Sequence, residues 1–134
     1  MKNILLSAVI ISVLTISFCS QKPDKYTLYK KDSFQLKEDS SNEIKIGQRF
    51  YVELTSNEST GYTWQYSCSA SSVEYLSDKI FCVKNCDLSG APNQRIWIFT
   101  GKSAGTAELT FKYFRSWEDE STAVDTVVYK IVIK

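Results

Sequence analysis

The sequence contains no histidine. That absence removes the usual base for a serine or cysteine nucleophile and the commonest transition-metal ligand. An excess of one charge is missing too, since 16 Lys and Arg against 15 Asp and Glu leave a formal +1. Without a clustered basic face, nucleic acid and anionic membrane surfaces are disfavoured as partners. The acids are scattered, with no pair whose spacing would place both in one pocket. No internal repeat or low-complexity tract is present, and no window beyond the N-terminal segment sustains helical three-four spacing.

Long hydrophobic runs are scarce as well. Ile4 to Phe18 is apolar, but Ser7, Ser12, Thr15 and Ser17 interrupt it, and it falls short of the roughly 20 residues a membrane-crossing helix needs. Behind the short positive start Met1-Lys2-Asn3, the segment 1–19 reads as a secretory signal peptide. Ser17 and Cys19 occupy the small-residue positions of a cleavage site. Ile16-Ser17-Phe18-Cys19 also looks like a lipoprotein box, although Phe18 is bulky where a small residue is usual. Simple secretion is preferred, and a lipid anchor at Cys19 is the alternative. Either route delivers the chain to the cell exterior, a periplasm or a lysosome.

Cys68, Cys82 and Cys86 remain after that processing. In an oxidising compartment one disulfide is expected, either Cys68–Cys82 or Cys68–Cys86, worth on the order of 3 kcal/mol. Cys82 and Cys86 are less plausible partners for each other, because strand geometry in one short segment would hold the sulfurs apart. Three thiols without a fourth ligand make a poor zinc site. No metal or cofactor is expected.

Residues 20–32 carry several charges and few aliphatics, and read as a tether or loosely held segment. Residues 33–134 form one domain, large enough for a two-layer core. Strand-length runs succeed one another: 34–37, 43–46, 49–54, 62–68, 72–76, 80–83, 95–100, 106–114 and 126–133, separated by Gly, Asn, Asp and Ser. Ala107, Leu109, Phe111 and Tyr113 alternate with Thr106, Glu108, Thr110 and Lys112. The fold class is all-β, an immunoglobulin-like antiparallel β-sandwich.

Between the runs ending at Leu54 and starting at Tyr62 lies Asn57-Glu58-Ser59-Thr60-Gly61. Its small polar side chains can bond nearby backbone, and Gly61 can take positive φ, so the turn is slim and compact. Such composition is also ordinary in hairpin connections. Loops gather at the two ends of a sandwich, so distant connections can share one surface. Two further loops qualify: Leu88-Ser89-Gly90-Ala91-Pro92-Asn93-Gln94 and Arg115-Ser116-Trp117-Glu118-Asp119. Trp64 and Trp97 lie inside strands and are assigned to the core. Trp117 stands among Glu118, Asp119 and Glu120 and is assigned to the surface, with a core aromatic as its bland alternative.

Taken together these residues resemble the chagasin family of cysteine-protease inhibitors (inhibitor family I42). The family's Asn-Pro-Thr-Thr-Gly-aromatic loop stands here as Asn57-Glu58-Ser59-Thr60-Gly61-Tyr62. Its Gly-rich loop stands as Gly90-Ala91-Pro92-Asn93, and its Arg-Pro-Trp loop as Arg115-Ser116-Trp117. The order and spacing fit, as does Lys102-Ser103-Ala104-Gly105-Thr106 between the last two. Glu58, Pro92-Asn93 and Ser116 depart from the family pattern.

The resemblance implies reversible, non-covalent occlusion of a papain-like cysteine protease, and a monomer is expected because a cleft blocker has no need of a second copy. Asn57, Ser59, Thr60, Gly61, Tyr62, Gly90, Ala91, Pro92, Asn93, Arg115 and Trp117 would make the contact, with Thr60 nearest the catalytic cysteine. Arg115 would bond the partner or support its own loop through Glu118 or Asp119. The other function class this fold serves is a secreted adhesion or ligand-binding module. Asn57-Glu58-Ser59 is also an N-glycosylation acceptor, and a glycan there would obstruct a loop that must enter a cleft.

Overall fold

The computed structural model describes residues 24–134. The signal segment 1–19, with Cys19, and residues 20–23 lie outside the described residues. A short helix α1 (Lys25–Tyr29) precedes eight strands: β1 (Phe34–Gln35), β2 (Ser41–Ile44), β3 (Arg49–Ser56), β4 (Tyr62–Cys68), β5 (Val73–Cys82), β6 (Asn93–Gly101), β7 (Gly105–Arg115) and β8 (Asp125–Ile133). They form two sheets ordered β1-β3-β6-β5 and β2-β8-β7-β4. The sandwich expected from the alternating pattern is the fold.

The core follows from period-two alternation. Phe50, Val52 and Leu54 of β3, with Trp97 and Phe99 of β6, point inward from one sheet. Leu109 and Phe111 of β7, with Tyr129, Ile131 and Ile133 of β8, meet them from the other. Trp97 packs edge-on against Phe111, with ring centroids 4.9 Å apart. Trp64 and Trp97 are both buried, as assigned.

Pairing departs from purely antiparallel at two short edges, where β1 runs parallel to β3 and β2 runs parallel to β8. The chain switches sheets between them through a tight turn built on buried Asn42. Its side chain accepts from Lys37 N at 2.8 Å and donates to the carbonyls of Lys37 and Lys130 at 2.9 and 3.0 Å. One segment thereby covers an edge of each sheet, which would otherwise offer unpaired backbone groups. The runs 72–76 and 80–83 are a single strand, β5, with a bulge between Tyr75 and Ser77. Its polar middle survives because Asp78 pairs with Arg95 across the sheet at 2.8 Å.

Residues 24–32 are more than a tether. Tyr26 and Tyr29 fall on one side of α1 and bracket Phe81, with centroids 5.5 and 5.4 Å away. Together with Tyr51, Ile96 and Ile98 they make a second, smaller apolar cluster on the outer face of the sheet. Tyr26 donates to Glu53, and Lys30 pairs with the same carboxylate at 2.9 Å. The count of aliphatics hid this docking because aromatic residues carry it.

Candidate functional site

Three connections leave the sandwich at one end. Residues 57–61 link β3 to β4, residues 83–92 link β5 to β6, and residues 116–124 link β7 to β8. Strand registers fix their proximity: Asn93, at the start of β6, is paired with both Ser56 and Cys82, and Tyr62 is paired with Arg115. The turn at Lys102-Ser103-Ala104 belongs to the opposite end. There Gly101 N donates to Gln48 O at 3.2 Å and Lys102 N to Ser72 O at 2.7 Å.

The first loop is organised by its own side chains. Glu58–Thr60 form one turn of 3-10 helix, closed by Gly61 at φ +82. Thr60 Oγ1 donates to Asn57 O at 2.6 Å, and Ser59 Oγ donates to Asn57 Oδ1 at 2.6 Å. The Thr60 hydroxyl proton is thus committed within the loop, so this residue presents shape rather than a free donor at the tip. Beneath the turn, Asn57 N donates to Tyr113 Oη at 3.0 Å. Tyr113 in turn lies against Trp64 and Tyr62, with centroids 4.8 and 5.5 Å away. Trp64 Nε1 donates to Thr55 O at 2.9 Å, which anchors the strand leading into the loop.

The second and third loops touch the first. Asn57 Nδ2 donates to Gly90 O at 3.0 Å, bridging the first two loops. Gly90 takes φ +79, and a Cβ added there would lie 3.6 Å from Ser59 Oγ. On the other side the Trp117 ring lies over Gly61, where a Cβ would stand 2.5 Å from Trp117 Cη2. Gly61 is therefore required twice, for its left-handed backbone and for the close approach of the indole. Trp117 remains 70% exposed, so the surface assignment holds and the core alternative does not.

Arg115 takes the supporting geometry. Its guanidinium sits 4.7 Å from the Tyr62 ring centroid and its Nη1 is 3.4 Å from Glu118 Oε1. Glu118 N donates to Arg115 O at 2.9 Å, tightening the turn that carries Trp117. Further along, Asp119 caps the short helical turn Glu120–Thr122 through Ser121 N at 2.9 Å. The Ser121 hydroxyl and amide hold the Asp119 carboxyl below the usual carboxylate range.

The disulfide differs from expectation. Cys82 is bonded to Cys86 with Cα atoms 5.6 Å apart, and Cys68 is free and exposed. β5 ends at Cys82, and the chain reverses through Asn85, which adopts φ +53. The expected strand geometry between the two cysteines is therefore absent, and the reversal brings their sulfurs together. Both cysteines line a cleft of about 190 Å³ between the first and second loops, facing Asn57 and Ser59.

Of the candidate residues, Asn57, Ser59, Thr60 and Gly61 lie in the first loop and Gly90, Ala91 and Pro92 in the second, while Trp117 lies in the third. Tyr62, Asn93 and Arg115 are the strand ends at the base of those loops. All eleven belong to one end of the molecule. Sequence reasoning missed Tyr113, the support under Asn57. Its signal was only an aromatic among alternating residues. Exposed Leu88 lies on the rim of the cleft, a position that its place at the start of the loop does not signal.

The family model for the chagasin family peptidase inhibitor I42 matches residues 43–131. No curated protein sequence matches the chain. Among solved structures, the cysteine protease inhibitor EhICP2 from Entamoeba histolytica is similar, with a TM-score of 0.68 at 22% identity, over 75% of this chain and 95% of that one. Amebosin is similar with a TM-score of 0.62 at 19% identity, over 76% and 98%. PbICP-C, solved in complex with falcipain-2, gives a TM-score of 0.52 at 18% identity, over 77% and 92%. At these identities the structural likeness speaks for the fold.

Proposed function

The chain belongs to the chagasin family of peptidase inhibitors, and from that premise we propose that it blocks papain-like cysteine proteases by seating its three-loop end in the active-site cleft. The observation that carries this is the joining of the loops before any partner arrives, through Asn57–Gly90 on one side and Gly61–Trp117 on the other. A groove with a thiolate at its floor is plugged best by a narrow edge that is already ordered, because ordering on contact subtracts from affinity.

Thr60 at the narrow tip enters nearest the nucleophile. Its closed hydrogen bonds keep the turn from relaxing into the extended, attackable form a substrate adopts. Trp117 supplies exposed aromatic area held in place by Gly61, the type of residue on which binding energy concentrates. The second loop, with Gly90, Ala91 and Pro92, bears on the opposite wall. Arg115 acts from behind the contact, since its guanidinium is engaged by Tyr62 and Glu118. Asn57 faces the second loop with its amide nitrogen and acts unglycosylated. The Cys82–Cys86 bond supports an export route through an oxidising compartment. The inhibitor works as a monomer, because a cleft needs only one wedge.

Titration of residues 20–134 against papain, with and without the Trp117→Ala substitution, tests this. The expected result is stoichiometric loss of peptidase activity with the inhibitor chain left uncut, and weaker inhibition by the variant. A correctly folded domain that leaves papain-like enzymes fully active would return the molecule to the class of sandwich binding modules.

A further inference from the structure

Residues 83–92 contain no buried side chain. The loop is shaped by few restraints: Leu88 N donates to Asn85 O at 2.9 Å, Ala91 N to Leu88 O at 3.3 Å, and Asn57 Nδ2 to Gly90 O at 3.0 Å. The remaining one is covalent. Cys82 ends β5 opposite Asn93, so its bond to Cys86 ties the outer part of the loop back to the strand base. It also holds Asn85 in its left-handed conformation, which an asparagine tolerates and an unconstrained chain would often leave.

Resting on the inhibitory reading above, we propose that the Cys82–Cys86 disulfide is a thiol-exchange site that sets how firmly the second loop is held in its binding position, so that reduction by a dithiol weakens the grip on the peptidase. Both cysteines are exposed, which gives an attacking thiolate the access this chemistry needs. The thiolate of a dithiol attacks one sulfur and displaces the other as a thiolate, leaving a mixed disulfide. The second thiol of the reductant then closes on its partner. The reductant leaves as a cyclic disulfide, having given two electrons, and its two protons end on Cys82 and Cys86.

Once reduced, the loop is fastened to its neighbour only by the Asn57–Gly90 bond, and the cleft wall formed by Cys82, Cys86 and Leu88 is free to rearrange. Affinity falls because the loop must then be ordered on binding. The dependence has a chemical logic, since a papain-like enzyme requires its own nucleophile as a thiol. Conditions that favour the active peptidase are those that loosen the inhibitor, and oxidising conditions favour the complex.

The test uses residues 20–134 carrying Cys68→Ser, which removes the free thiol as a source of disulfide exchange. The partner is a papain-like peptidase with its catalytic cysteine replaced by serine, so neither protein requires a reductant. Affinity is measured by calorimetry for the oxidised chain, for the same chain in dithiothreitol, and for the chain also carrying Cys82→Ser and Cys86→Ser. Reduction is expected to weaken binding about tenfold, with the doubly substituted chain equally weak and indifferent to dithiothreitol.

Oxidised and reduced affinities within about twofold of each other would overturn the proposal while leaving inhibition intact. Loss of binding by the oxidised chain itself would overturn both. Should the doubly substituted chain fail to fold, the comparison of the oxidised and reduced chain still decides. Unchanged near-ultraviolet circular dichroism in dithiothreitol shows that the sandwich has persisted through it.

Discussion

Gly61→Ala is the substitution whose consequence the geometry states most directly. Two penalties meet at that position. An alanine held at φ +82 is strained by about 1 to 2 kcal/mol. Its Cβ would also stand 2.5 Å from Trp117 Cη2, well inside the roughly 3.5 Å at which carbon atoms rest in contact. The indole is 70% exposed, so it yields by swinging outward and the core is untouched. The fold should therefore lose little, with a melting temperature lowered by roughly 5 °C. Binding should lose more, because the displaced Trp117 forfeits an anchor worth about 2 kcal/mol, a rise of about thirtyfold in the inhibition constant.

A double-mutant cycle separates displacement of Trp117 from general damage to the loop. Inhibition constants for the unaltered chain, Gly61→Ala, Trp117→Ala and the combined variant give a coupling energy. With the indole gone, the alanine has nothing to collide with, so the combined loss should fall short of the sum by about 1 kcal/mol or more. Losses additive to within about 0.5 kcal/mol would refute the reasoning, as would an unchanged inhibition constant for Gly61→Ala alone.

Other substitutions test the remaining supports. Asn57→Ala removes the bond to Gly90 O and the acceptor of Ser59; the inhibition constant should rise about tenfold, with little change in melting temperature. Tyr113→Phe deprives Asn57 N of its partner and should cost about 1 kcal/mol in urea unfolding, with a measurable loss of inhibition. Trp97→Ala empties the centre of the core and should cost about 3 to 5 kcal/mol, leaving a chain near its stability limit. Burial pushes the Tyr129 phenol up to about 12 from 10.0. That contribution is complete below pH 10 and disappears as pH climbs through 12, a loss of about 3 kcal/mol. Urea midpoints measured from pH 8 to 12 should show the fall, and Tyr129→Phe should flatten it.

Alternating residues made the sheets legible, because a strand buried on one face writes its orientation into every second position. β3, β7 and β8 were readable this way from Phe50-Val52-Leu54, Leu109-Phe111 and Tyr129-Ile131-Ile133. β5 was legible only as two pieces, 72–76 and 80–83, since Ser77, Asp78 and Lys79 between them sit on a bulged edge strand where polar residues cost little. The site was legible as three loop signatures, but what joins them was hidden. Asn57 reaching Gly90 spans 33 positions and Asn57 reaching Tyr113 spans 56; no local pattern reports such pairs. The disulfide was misread for a related reason. Its geometry depends on Asn85 turning left-handed, a backbone choice that an asparagine permits without announcing.

The three loops are restrained by different means, and that difference decides which of them can change without loss of the fold. The first is closed by hydrogen bonds among its own residues and rests on the aromatic stack of Tyr113 and Trp64. The third is braced by Arg115 against Tyr62 and Glu118, with Asp119 capping the turn beyond. Both are continuous with strand ends whose side chains pack on the body of the molecule, so their shape is coupled to the stability of the sandwich. The second loop has no such side-chain brace of its own: beyond two backbone hydrogen bonds within it, it is fixed by one disulfide and one bond to a neighbour. Substitutions there leave the sandwich intact and move only the grip. Variation in which peptidases are bound should therefore be easiest to engineer between Val83 and Pro92. Exchanges at Gly61 or Arg115 should register in melting temperature as well as in inhibition.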